Sequence, residues 1–223
     1  MNTRDAAVSR ALRTPRAAAI AGVLFALLLT AALVLMRLAA RSEPGSAGAW
    51  PTDASWTQLV AVALHLVPFA GIAFLWFIGV VRDRIGQHED RFFATVFLGS
   101  GLLFIAMLFV AGGVAAGLLA HAAAARTGAP TEVWGLGRRI AAAVLNTYAM
   151  RMAAVFMIST ATDRVPDGLH LAVARVFRVR DRLGLAAGYR RHAVGELLFP
   201  LWILLLSVDT LVASLKGDHA GSI

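Results

Sequence analysis

His65, Arg151 and Asp209 are ionisable side chains set inside otherwise apolar stretches, and their types could do chemistry. A charge within hydrocarbon costs about 2.5 to 3.5 kcal/mol on insertion scales, so each needs a partner or a water-filled path. An imidazole and a carboxylate within reach of one another could relay a proton or hold an ion entered from outside, with the guanidinium tuning the carboxylate. The same residues also read as structure: an Arg151–Asp209 pair across a helix interface, with Asn146 and Tyr148 completing its hydrogen bonds. Counted along helices at ~1.5 Å per residue, Asp209, Asn146 and His65 lie ~9 Å and Arg151 ~16 Å from the outer ends of their segments. Those depths overlap within side-chain reach, so the expected buried polar cluster is His65, Asn146, Arg151 and Asp209.

The elements that must position this cluster are five apolar runs, 17–38, 59–81, 92–119, 140–158 and 197–215. Each is near the ~20 residues that ~30 Å of hydrocarbon requires. Between Leu102 and Ala120 the chain is apolar on every side of a helix, which rules out water as the solvent on any face. A content of 59% hydrophobic against 15% charged residues lies outside the range of soluble domains and points the same way. The basic N-terminus (Arg4, Arg10, Arg13, Arg16) leads into a run too long for a typical secretory signal, so it reads as an uncleaved first helix. The expected fold class is all-α: one transmembrane helical bundle over 1–223, with about five spanning helices and a basic amphipathic surface helix within 163–196. In that stretch Ala172, Val176, Val179 and Leu183 recur at helical spacing while Arg175, Arg178 and Arg182 gather on another face, suited to lipid head groups. A solvated basic loop is the alternative.

The net charge of +8 collects between the apolar runs. With the N-terminus inside, Lys and Arg near the spans divide fourteen to six in favour of the cytoplasmic side, which predicts a cytoplasmic N-terminus and an external C-terminus. Topology and anionic head groups account for the basic balance, so nucleic acid is not an expected partner. With no Cys there is no disulfide, thiolate nucleophile or Cys-bound metal.

Other signals are weaker. Gly113 and Gly117 form a GxxxG pair suited to close helix packing or self-association. Pro68, three residues after His65, frees a backbone carbonyl and can kink the second span. Met150, Met152 and Met157 read as core filler. His88, Glu89 and Asp90 point in different directions on a helix and read as a solvated turn. No HExxH, GxxxxGK[ST] or GxSxG pattern occurs, so no catalytic residue, metal site or cofactor is expected.

The stretches from Phe74 to Phe109, Asn146 to Thr162 and Leu197 to Leu215 resemble a group of uncharacterised multi-spanning membrane proteins common in actinobacterial genomes. The resemblance covers about half the chain and implies a helical inner-membrane protein without an assigned activity. The sequence departs from the group between Asp163 and Glu196, where a more apolar, crossing segment would be expected. If that stretch spans, the count becomes six and the C-terminus moves inside. The function expected is that of a non-enzymatic accessory or interaction subunit in contact with membrane lipids, their anionic head groups, and a membrane-protein partner or further copies of itself. The alternative is a small transporter or ion-conducting protein using the polar cluster.

Overall fold

A computed structural model describes residues 15–41, 54–85, 91–124, 131–164 and 192–220, and every described residue is helical. In hydrocarbon no water satisfies backbone N–H and C=O groups, so a run of apolar residues must close its hydrogen bonds within itself as a helix. Helix α1 is Pro15–Arg41, opening on a proline whose missing N–H costs nothing in a first turn. Helices α2 (Ala54–Ile85) and α3 (Arg91–Ala124) come next. Helix α4 (Thr131–Ala143) continues through a π-helical turn, Val144–Ala149, into α5 (Met150–Arg164), so that these three pieces form one rod. Helix α6 is His192–Ala220.

Four stretches are long and apolar enough to cross a membrane: Ala17–Ala39, Ser55–Arg82, Ala94–Ala124 and Glu132–Thr160. They match the first four expected spans. The fourth begins earlier than its apolar run because Gly135 and Gly137 are helical; a Cβ at Gly137 would come within 2.6 Å of Leu118, so this glycine lets α4 approach α3.

The core is a cluster of phenylalanines, one from each rod: Phe25, Phe74, Phe104, Phe156 and Phe199. Phe74 is its hub, stacked on Phe25 at 4.4 Å and lying 5.6, 5.1 and 5.6 Å from Phe104, Phe156 and Phe199. Outside this cluster the bundle is greasy: Phe69, Trp76 and Leu205 are each about 60% exposed, while Ser100, Ser159, Thr160 and Ser207 are buried. A surface of that kind is stable against lipid and unstable against water.

Contacts fix the direction of each helix. Gly22 of α1 faces Phe77 of α2, and Ala39 near the other end of α1 clusters with Trp56 and Val60, so α1 and α2 are antiparallel. Gly71 faces Phe109 while Gly101 faces Ile78, and Gly137 faces Leu118 while Phe97 stacks on Phe156 at 4.7 Å, which continues the up-and-down order to the α4–α5 rod. Helix α6 breaks the pattern. Gly22 faces Ser207, whereas Arg37, fifteen residues on, pairs with Glu196, so α6 runs antiparallel to α1. Phe156 lies 6.1 Å from Phe199, and Thr160 shares a small cavity of about 20 Å³ with Leu206 and Ser207, so α6 runs parallel to α5.

The expected topology has the first and last spans running the same way; the packing of α6 against α1 has them running in opposite directions. A tally of loop charges sees only sequence order. It cannot see that the apolar face of α6 packs on α1 with its start beside the end of α1. The basic stretch holding Arg175, Arg178 and Arg182 lies outside the described residues, as do His88 to Asp90.

Candidate functional site: a cleft in one half of the bundle

At the end of the bundle where α1 finishes, the small side chains of Ala32, Ala63, Ala111, Gly112, Ala115 and Ala141 leave space and line a cleft of about 850 Å³ between α1, α2, α3, α4 and the start of α6. Its length, from the level of Leu29 to that of Ala39, is ~15 Å at the helical rise, about half the thickness of a hydrocarbon core.

The walls are apolar and the polar groups are few. Arg37, Arg138 and Glu196 line it, Asn146 sits deeper, and Trp56 and Trp134 meet edge to face at 5.6 Å near its end. Tryptophans of this kind favour the boundary between hydrocarbon and head groups. Arg37 Nη2 donates to Glu196 Oε2 at 3.3 Å, and both side chains are partly buried. Arg37 Nε is buried without a partner among the described residues, so part of its donor capacity is unspent.

Asn146 reaches the cleft by way of the π-helical turn. Met150 N–H donates to Leu145 O, the five-residue spacing of a π-helix, and the extra residue rotates α5 about the rod axis relative to α4. Helical-wheel counting from Asn146 to Arg151 assumes an uninterrupted α-helix and therefore misplaces one against the other.

Of the described side chains in the expected polar cluster, Asn146 lines the cleft and His65 and Arg151 do not. His65 is exposed, and its Nδ1 hydrogen-bonds the carbonyl of Ala61 in its own helix at 2.7 Å. Arg151 is exposed on α5. Asp209 lies on α6 beside Thr210, which borders the small cavity at the opposite end of the bundle; its side chain lies outside the described residues. The reversed direction of α6 removes the depth match that placed Asp209 near His65.

Pro68 lies within α2 and does not end it. The Leu64 carbonyl thereby lacks its usual helical donor, on a residue that lines the cleft. Among the described residues, a Cβ at Gly113 or Gly117 would meet nothing within 4 Å, whereas close approaches are made at Gly22, Gly71, Gly101 and Gly137. No three His, Asp or Glu side chains gather as metal ligands among the described residues.

The Arg37–Glu196 pair escapes sequence reasoning because 159 residues separate its members. The available signal was that each charge sits at the edge of an apolar run. Fold and surface together define an all-α membrane-embedded bundle with a one-sided cleft. The chain matches no known protein family, curated protein or solved structure.

Proposed function

We propose that this is a multi-pass protein of a bacterial inner membrane, with its N-terminus in the cytoplasm, that catalyses no reaction and serves as an accessory subunit holding a membrane lipid in the cleft. The observation that carries this reading is the division of the cleft: small apolar walls for acyl chains, with basic groups confined near the end that carries Trp56 and Trp134. Arg37 and Arg138 outnumber Glu196 among the charged groups lining it, which favours an anionic head group. The resemblance to uncharacterised actinobacterial membrane proteins supports the location, as do Arg4, Arg10, Arg13 and Arg16 before the first span.

The test is lipid analysis by native mass spectrometry on protein purified in mild detergent. Wild type should retain lipid enriched in anionic species relative to the host membrane. Ala115→Phe, which fills the cleft, should lose most of it, roughly tenfold, and Arg138→Gln should keep lipid but lose the anionic preference. Equal lipid complements in wild type and Ala115→Phe would reject the cleft as the binding site. A transport role through His65, Arg151 and Asp209 gains no support from the placement of His65 and Arg151 on exposed faces.

A further inference from the structure

The rod α4–α5 and helix α6 lie side by side and point the same way. Phe156 meets Phe199, and Thr160 lies at the level of Ser207. Ser207 in turn faces Gly22 near the start of α1, and Glu196 meets Arg37 near its end. At ~1.5 Å per residue, His192 therefore lies ~22 Å along the bundle from the level of Ser207, and Arg164 ~6 Å beyond Thr160 in the opposite direction. The two ends joined by 165–191 are thus separated by ~28 Å, close to the ~30 Å of a hydrocarbon core.

We infer that the chain crosses the bilayer an even number of times, so that the end preceding α1 and the end following α6 lie on the same side of it. This rests on contacts among described residues and is independent of what the cleft binds. Arg175, Arg178, Arg180 and Arg182 are what lead a sequence count to keep this stretch on one side. The packing of α6 outranks that signal because α6 cannot be reversed without separating Phe199 from the phenylalanine core and Glu196 from Arg37. Roughly 27 residues join the two helices, more than the ~20 that a crossing needs.

The chain has no Cys, so single cysteines report sidedness directly. Ser9→Cys, Ser46→Cys and Ser222→Cys would be treated with a membrane-impermeant maleimide in intact cells and again after permeabilisation. Ser46→Cys should label in intact cells, and Ser9→Cys and Ser222→Cys only after permeabilisation. Labelling of Ser222→Cys together with Ser46→Cys, while Ser9→Cys stays protected, would overturn the inference. Labelling of Ser9→Cys and Ser222→Cys in intact cells with Ser46→Cys protected would keep the even count and overturn the cytoplasmic N-terminus.

Discussion

Arg37 on α1 and Glu196 on α6 form an ion pair, 3.3 Å between Nη2 and Oε2, that joins the end of one helix to the start of another. At 25% and 14% side-chain exposure the pair is neither a solvent-screened surface contact nor a dry one. Interhelical polar contacts in membranes contribute about 0.6 to 1.7 kcal/mol. A double-mutant cycle of Arg37→Gln and Glu196→Gln, read from thermal unfolding in detergent, should give a coupling of about 1 kcal/mol. Strict additivity would show that the two side chains do not support one another.

Among the described residues the helical glycines divide into those with a close neighbour and those without one. A Cβ at Gly22 would collide with Ser207 Oγ and approach Phe77 to 2.8 Å, both in a buried interface. Overpacking of a close-packed contact costs about 1 to 3 kcal/mol, so Gly22→Ala should lower the unfolding temperature by several degrees. Gly113→Ala and Gly117→Ala should be neutral or stabilising by up to about 1 kcal/mol each through helix propensity. The ranking reverses if the GxxxG pair, rather than Gly22, holds the bundle.

Phe74 touches phenylalanines from four other helices, and its replacement by alanine should cost about 2 to 4 kcal/mol. The expected readout is a broadened gel-filtration profile and a lower unfolding temperature. Phe69→Ala, at a site 61% exposed, should change neither by much. Equal losses at the two positions would contradict the assignment of inside and outside.

Leu103 and Leu205 are 50% and 62% exposed, in the middle of α3 and α6. Lysine at either site would meet hydrocarbon at a cost of about 2.5 to 3.5 kcal/mol, and the fraction of protein resisting an alkaline wash of membranes should fall. Soluble, monodisperse protein in the absence of detergent would contradict the membrane assignment.

Buried serines give a finer check. Ser207 Oγ is buried without a partner among the described residues, so Ser207→Ala should be neutral or stabilising by about 1 kcal/mol. Ser100 Oγ donates to Phe97 O at 3.1 Å and is already satisfied within its helix, so Ser100→Ala should bring little gain. A clear loss at Ser207 would mean that its hydroxyl has a partner.

The helices were legible where one physical signal dominates. A run such as Leu102 to Ala120 has no polar face, so its solvent and its secondary structure are set by composition alone. The early start of the fourth span was hidden because Gly135, Gly137, Arg138 and Arg139 lower local hydropathy; they are helical because α3 accepts the close approach of Gly137. Asn146 was legible as a polar group of interest and Arg37 and Glu196 were not, since nothing local marks two residues as partners across most of the chain.

Residue order and chemistry alone determined that the chain is helical, that hydrocarbon surrounds it, and where most of its helices lie, because backbone hydrogen bonding and apolar length are properties of each segment by itself. Which way α6 runs, which glycines are in contact, and that small side chains from several helices open one cleft were decided only by tertiary packing. Those features depend on pairs of surfaces that meet after the chain has crossed the membrane several times, and no single segment contains both members of such a pair.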